Sequence, residues 1–396
     1  MKIESLTTCT GCSACYAVCP HGAITMEQDK EGFYIPVIQE ATCTQCGLCD
    51  KTCPVLEPAK TVAGESKAFA IINQNEVIRR ESSSGGVFTA LAHQVLCRGG
   101  VVFGVRYDER LEVVHGWTED EAGLKDFRGS KYTQSNLKES FRECKDFLKA
   151  GRIVLFSGTP CQIAGLQSFL RKPFENLILV DFICHGVPSP KLWQEYKKFH
   201  EKKSASRRIV RTASRRKNCG WKQFSLAFTF DDANEYCQTL DKDWYLQLFL
   251  RDMCLMESCY QCQFKTQAGC KRSSDITLAD FWGVQKEYPE LDDDKGTSLV
   301  LAHSPMGEKL LQGLENCLVK EIPVEVGMRH NPSYYRSCKR PPPRTNFFTD
   351  LQQVAIGTMD FQRIFKKYGQ DSMPKRIYRF VRRCGGKGLR LMGLRK

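Results

Sequence analysis

The residues best equipped for chemistry in this chain are cysteines, and they fall into two sets that share one spacing. The first reads Cys9-x2-Cys12-x2-Cys15-x3-Cys19-Pro20, the second Cys43-x2-Cys46-x2-Cys49-x3-Cys53-Pro54. One short loop can aim three such thiolates at three corners of an iron–sulfur cube, while the fourth, followed by proline, crosses to the other cube. The pattern therefore assigns Cys9, Cys12, Cys15 and Cys53 to one [4Fe-4S] cluster and Cys43, Cys46, Cys49 and Cys19 to a second. Zinc fits less well, because it takes four ligands in Cys-x2-Cys pairs and has no need of a third close thiolate or a trailing proline. Disulfides would need an oxidising compartment. Met1-Lys2-Ile3-Glu4 runs straight to the first ligand loop with no export signal. Two cubes pass electrons singly, so the remaining chain is expected to hold whatever receives or supplies them.

Further candidates follow. Ser82-Ser83-Ser84-Gly85-Gly86 stands before a helical pattern, where small side chains expose backbone N–H groups to an anionic phosphate. A serine N-cap accounts for one of these serines, not for all three and the glycines. Gly129-Ser130-Lys131-Tyr132-Thr133-Gln134-Ser135 gathers a cation, a phenol and hydroxyls. Lys131 is a candidate partner of a pyrophosphate or a reduced isoalloxazine, against the reading of a surface loop. Ser157-Gly158-Thr159-Pro160-Cys161 follows an apolar strand and opens a helix, the place where open α/β sheets carry a ligand crevice. Thr159 and Pro160 are its candidate walls. Cys259-Tyr260-Gln261-Cys262 is a second metal-ligand signal, with Cys184-His185-Gly186 at the end of another strand. Two ligand sets stay open for a third cube: Cys161, Cys184, Cys259 and Cys262, or Cys254, Cys259, Cys262 and Cys270. A zinc knuckle is the rival, and Cys161 or Cys184 taken alone is a small buried apolar group. Asp280, beside Phe281-Trp282-Gly283, either faces a ligand or caps a turn. His185 is a candidate proton donor or a packing residue.

Strands and helices must position these groups. From Ala68 the texture alternates between apolar strands such as 152–156 and 177–183 and helical patterns such as 85–97 and 136–150, which predicts an α/β core. The expected fold class is α+β or α/β: a ferredoxin-like two-cluster module, a mixed α/β core and a peripheral C-terminal tail. The divisions are residues 1–58 for the module, 66–150 and 151–330 for the two parts of the core, and 331–396 for the tail. The formal charge of +13 falls by several units once each cube brings roughly −2 with its four thiolates. No nucleic-acid partner is expected. Part of the basic excess lies at 375–396, interleaved with apolar residues, a candidate for peripheral contact with a membrane surface. Twenty-one cysteines and no apolar run of bilayer length fit a reducing cytoplasm.

Ser83-Ser84-Gly85-Gly86-Val87-Phe88, Gly129-Ser130-Lys131-Tyr132, Phe156-Ser157-Gly158-Thr159-Pro160-Cys161-Gln162, Cys184 to Ser189, Ser258-Cys259-Tyr260-x-Cys262 and Asp275 to Gly283 occur in fixed order up to about Arg344. Together they make the chain resemble the family of coenzyme F420 hydrogenase/dehydrogenase beta subunits, in the form of bacterial members with a fused two-cluster ferredoxin linked to polysaccharide biosynthesis. The resemblance implies a flavin-binding core. FAD would meet Ser83, Ser84, Gly85, Gly86 and Lys131, with Thr159, Pro160 and Asp280 along its crevice, and Cys161, Cys184, Cys259 and Cys262 would hold a cluster beside it. It implies an iron–sulfur flavoprotein oxidoreductase whose partners are a ferredoxin, coenzyme F420 or a nicotinamide, and a partner reductase or glycan-biosynthesis enzyme. A non-catalytic electron-transfer subunit and a redox accessory protein of polysaccharide biosynthesis are the alternatives.

Overall fold

The structure, a computed structural model, describes residues 2–58, 66–205, 207–266 and 272–370. Within the first segment, β1 (Ile24–Gln28) and β2 (Tyr34–Ile38) pair as an antiparallel hairpin, and two short helices, Ala14–Val18 and Leu48–Thr52, follow the two cysteine loops. Ser13 and Gly47, both with left-handed backbone, begin those helices at equivalent places of the repeat.

Next come β3 (Lys67–Asn73), β4 (Val101–Tyr107), β5 (Val113–Thr118), β6 (Val154–Ser157) and β7 (Leu177–Phe182), then β8 (Ile209–Arg216), β9 (Ser225–Phe230) and β10 (Glu235–Thr239). The last strands are β11 (Ile276–Asp280), β12 (Ser298–Ala302) and β13 (Cys317–Ile322). Eight of them form one mixed sheet in the order β13-β3-β12-β11-β7-β6-β4-β5, and β10-β9-β8 form a separate antiparallel sheet. β11, β7, β6 and β4 are parallel neighbours, and β3 runs with them because β12 is antiparallel to both β3 and β11. The carboxyl ends of β3, β4, β6, β7 and β11 therefore share one end of the sheet, where α/β folds place their ligands. β6 and β7 are apolar on both faces because helices cover both, as parallel strands require.

The basic stretch Ile209–Arg216 forms β8, one edge strand of the smaller sheet, paired antiparallel with β9. Past Pro332 the sequence suggests a peripheral tail, yet helices Arg344–Ala355 and Phe361–Tyr368 bury Phe347, Phe348, Leu351, Phe361, Ile364 and Phe365 in the largest apolar cluster. Their apolar residues recur at helical spacing, a signal masked in the sequence by the prolines just ahead of them. The basic stretch at 375–396 lies outside the described residues.

Arg344 ties this region to the cysteine module. Its guanidinium is 1% exposed, pairs with both carboxylate oxygens of Glu31 at 2.9 and 2.5 Å, and donates to Leu255 O. Replacing Arg344 by Ala leaves Glu31 and a buried carbonyl without their donors. With Glu31 partly solvated, the expected cost is about 3 kcal/mol, the low end for breaking a buried pair, measured by urea denaturation under argon. A loss below about 0.5 kcal/mol, the scale of a surface pair, would contradict the clamp.

Candidate functional site

One cavity in the module is lined by Cys9, Cys12, Cys15 and Cys53, and a second by Cys19, Cys43, Cys46 and Cys49. The grouping follows the crossed pattern of the sequence, three residues from one loop and the fourth from the other. Burial pushes the Cys9 thiol up to about 11 and Cys12 up to about 12, with the neighbouring sulfurs adding to the effect. Such thiols are protonated when free, and a bound metal displaces the proton. Among the described residues, no three sulfurs of a quartet come within 4.8 Å of one another.

The first quartet leans directly on the core. A Cβ placed on Gly165 would lie 3.0 Å from Cys12 Sγ and 3.1 Å from Cys12 Cβ, so helix Pro160–Leu170 meets the ligand loop closely enough that a side chain there would require Cys12 to shift slightly. Gln134 fastens the same junction, accepting from Tyr34 N at 2.8 Å and donating to Tyr34 O at 3.1 Å. The Gly129–Ser135 stretch, read as a ligand loop, thus also holds the module in place.

Thr159 and Gln162 form a capping box at the start of that helix, with Pro160 at its first position. This places Cys161 at the carboxyl end of β6, its sulfur 3.0 Å from Thr159 Oγ1. Cys184 leaves β7, and Cys259 and Cys262 come from the 3-10 turn Glu257–Gln261 and the residue after it. The structure brings these four together. Burial and, to a lesser extent, the nearby Cys262, Cys184 and Cys12 sulfurs push the Cys161 thiol well up, and burial does the same to Cys259, with smaller contributions from Cys184, Cys262 and Cys338. Burial raises Cys184 as well, but Lys265 and Arg272 pull it back. Arg272 pairs with the buried Asp181 at 3.1 Å, and its Nε and Nη2 are buried with no partner among the described residues. Two cations beside a thiol cage suit an anionic cluster. Cys161 and Cys262 also pack into the same apolar cluster as Cys15, Cys49 and Cys53. Cys254, by contrast, is fully buried in the apolar cluster around Tyr245 and Phe347, and Cys270 lies outside the described residues.

The crevice wall holds a residue that sequence reading passed over. Arg215, on β8, is 4% exposed and paired with Asp280, which also accepts from Trp221 Nε1 at 2.9 Å. Its guanidinium lies 4.4 Å from the Phe224 ring centre and 5.6 Å from that of Trp282. Trp282 in turn stacks on Trp221 at 4.9 Å. Arg215 Nε and Nη2 are buried without a partner among the described residues, as is His115 Nδ1 beside the Ser157 turn. A buried guanidinium donor left unpaired costs free energy, so these atoms fit a bound polar group. The sequence carried little signal, because the run Arg211-Thr212-Ala213-Ser214-Arg215-Arg216 reads as a solvated basic strand.

The remaining candidates divide by what they bind. Ser83 Oγ is 2.7 Å from Ser130 Oγ. Ser84 Oγ donates to Thr297 O at 2.8 Å, and Gly85 N donates to Ser298 Oγ at 2.9 Å, with no room for a Cβ. Gly86, with φ 86°, starts helix Val87–Leu96. Lys131 Nζ is turned onto three carbonyls, of Asp126, Arg128 and Gly129, at 2.8, 2.9 and 3.2 Å. Burial pushes it down to about 7, and Lys217, whose Nζ donates to Arg79 O, Ser84 O and Lys295 O, is held at about 7 for the same reason. His185 Nε2 is 2.5 Å from Asp252 Oδ1, and its ring meets Phe249, which packs on Tyr132.

Residues 151–325 match the family described as the C terminus of the coenzyme F420 hydrogenase/dehydrogenase beta subunit. Residues 8–56 match the 4Fe-4S dicluster domain. The chain is thus an iron–sulfur protein with an N-terminal dicluster domain, related through much of its core to those beta subunits. It is 25% identical over 183 residues to the F subunit of the F(420)H(2) dehydrogenase of Methanosarcina mazei, covering 43% of this chain and 51% of that protein. It is 28% identical over 195 residues to the coenzyme F420-dependent sulfite reductase of Methanocaldococcus jannaschii, covering 47% of this chain and 29% of that one. The chain spans about half the length of the first relative and under a third of the second. The F420-reducing [NiFe] hydrogenase complex of Methanosarcina barkeri, solved with xenon, gives a TM-score of 0.44 at 14% identity over 74% of this chain and 88% of that one. These relatives correct one expectation. The core matches archaeal F420 proteins, not bacterial polysaccharide-biosynthesis proteins, because the Ser-Gly, Cys-His-Gly and Cys-x2-Cys motifs belong to the redox core and carry no information about a pathway.

Loss of Cys161 and loss of Cys254 should differ. Cys161→Ala is expected to lower iron from about twelve to about eight atoms per chain, while Cys254→Ala leaves iron unchanged, measured on protein purified without oxygen. Equal iron in both variants would remove Cys161 from the ligand set.

Proposed function

We propose that this chain is an iron–sulfur flavoprotein oxidoreductase that moves electrons between three [4Fe-4S] clusters, FAD and a hydride donor or acceptor. The hydride partner would be a deazaflavin of the F420 type, a nicotinamide or another small molecule. Residues 1–58 are the electron-entry module, and 66–150 and 151–330 form the flavin core. The first two clusters take the two module quartets, and the third takes Cys161, Cys184, Cys259 and Cys262. The observation that carries the reading is the buried guanidinium of Arg215, set between the Tyr132 hydroxyl and Asp280 with Nε and Nη2 lacking a partner of ordinary geometry among the described residues, Asp280 ending β11 beside the β7 strand that leads to Cys184.

FAD, when bound, couples one-electron exchange with clusters to two-electron exchange as hydride. The chain's own residues then have positional and electrostatic tasks. Ser83 and Ser130 offer hydroxyls, and the turn at Thr159 and Pro160 walls the crevice at the end of β6. Ser84, Gly85 and Gly86 fix the loop by tying it to β12. Lys131 and Lys217 supply positive charge where a pyrophosphate would lie. Asp280 orients Arg215 and Trp221, leaving two guanidinium N–H groups for the ligand. Water is kept out by the Trp221–Trp282 stack and by Phe224. The thiol-rich composition supports a reducing compartment, and among the described residues no helix is long and apolar enough to cross a membrane. A second reading, an electron-transfer subunit that feeds a separate reductase, draws support from the dehydrogenase relative, which is itself one subunit of its enzyme.

Protein purified without oxygen should release about one FAD per chain on denaturation, with absorbance bleached by a reduced deazaflavin or nicotinamide. Flavin without bleaching would favour the electron-transfer reading, and cluster absorbance without flavin would contradict the proposal. Arg215→Lys should weaken FAD retention about ten- to hundredfold, as expected for losing hydrogen bonds from a charged group.

The lysines give a pH signature. In the free protein Lys131 and Lys217 lose their protons as pH rises through about 7. An anionic ligand stabilises the charged form, so binding at pH 8 takes up protons and binding at pH 5.5 does not. Calorimetry of flavin binding to stripped protein, in buffers of different ionisation heat, measures the difference. Zero uptake at pH 8 would remove both lysines from the phosphate site.

A further inference from the structure

Among the described residues, one trio of ligand-type atoms lies close enough to hold a single ion: His185, Asp252 and Cys338, all partly buried and mutually within 4.8 Å. The three come from separate parts of the chain. His185 follows β7, Asp252 follows helix Trp244–Leu250, and Cys338 lies past the short 3-10 turn Pro332–Tyr334. Asp252 adopts a left-handed backbone, φ 59°, that turns the chain there. His185 Nε2 stands 2.5 Å from Asp252 Oδ1, while its other nitrogen, Nδ1, lies 3.3 Å from Ser333 Oγ.

We propose that His185 Nε2, Asp252 Oδ1 and Cys338 Sγ bind one divalent ion of the zinc class, with a fourth position open. One imidazole, one carboxylate and one thiolate match zinc's preference for nitrogen and sulfur with occasional oxygen. Three protein ligands leave the open position usual in non-structural sites. A hard ion such as magnesium or calcium would not select a thiol and an imidazole. Ser333 supplies the outer support such a site needs. With an ion on Nε2 the ring proton would sit on Nδ1, within reach of Ser333 Oγ as its acceptor. The charges also close, since one carboxylate and one thiolate neutralise a dication and the thiol proton leaves to solvent. Without an ion the same atoms form a hydrogen-bonded cluster, with Asp252 between the His185 ring and the Cys338 thiol and Ser333 on the far nitrogen of the ring. The trio borders the four-cysteine cage, since His185 follows Cys184 and Cys338 packs into the same apolar cluster as Cys259, but it uses none of the four cage sulfurs and does not rest on the flavin reading.

The test uses holoprotein prepared without oxygen, incubated with zinc or with cobalt(II), then passed through a chelating resin. About one retained zinc per chain is expected beyond the iron, with cobalt giving a thiolate-to-metal charge-transfer band. Cys338→Ser should abolish that band, and Asp252→Asn and Ser333→Ala should each cut retention about tenfold or more, all with iron unchanged. Retention by Cys338→Ser equal to that of the unaltered chain would overturn the proposal. So would no zinc or cobalt on the iron-replete protein, or iron lost with the zinc in Cys338→Ser, which would place that sulfur in the cage.

Discussion

The arrangement depends on one close approach, Cys12 against Gly165. A side chain at Gly165 would crowd the Cys12 sulfur and Cβ at 3.0 and 3.1 Å, at the point where the first cysteine quartet meets the core. With glycine there, the backbone of helix Pro160–Leu170 meets the ligand loop directly, and Cys161 stands on the same helix only a turn away. Electron carriers must be near one another to exchange charge, and the fold achieves this by removing a Cβ. Gln134, Arg344 and Arg142 secure the junction from other sides, the last by donating to Ala17 O and Tyr16 O.

The second constraint is electrostatic. The proposed inner cage and phosphorylated cofactor are both anionic, and burying either without counter-charge would be costly. The core answers with buried cations that have few or no carboxylate partners of their own. Lys131 and Lys217 are satisfied by backbone carbonyls, and Arg215 and Arg272 each have one acid and two unpaired N–H positions among the described residues. In a protein that bound nothing, such an arrangement would lower stability with no compensating interaction.

The module was legible in the sequence because its chemistry is local: loop spacing alone fixes which sulfurs can share a cube, and both cavities follow that partition. The strand ends were legible too, since apolar runs stopping at Ser157 and Cys184 mark parallel strands. What could not be read was long-range. Arg215 reaches the crevice only because β8 folds back beneath Trp282, about sixty-five residues later in the chain, a pairing that no periodicity encodes. The Gly129–Ser135 stretch looked like a ligand loop, and its Gln134 proves to clamp β2 a hundred residues earlier. Arg344 and the helices after it were hidden by three consecutive prolines, which signal an ending in sequence but here only redirect the chain onto the core.

The central claim is that an inner iron–sulfur cage stands in electronic contact with the two clusters of the module. Low-temperature electron paramagnetic resonance of the fully reduced protein tests it most directly. About three interacting spins per chain, with dipolar broadening beyond that of a two-cluster module, are predicted. A spectrum integrating to about two spins, unchanged when Cys262 is replaced by Ala, would contradict the account.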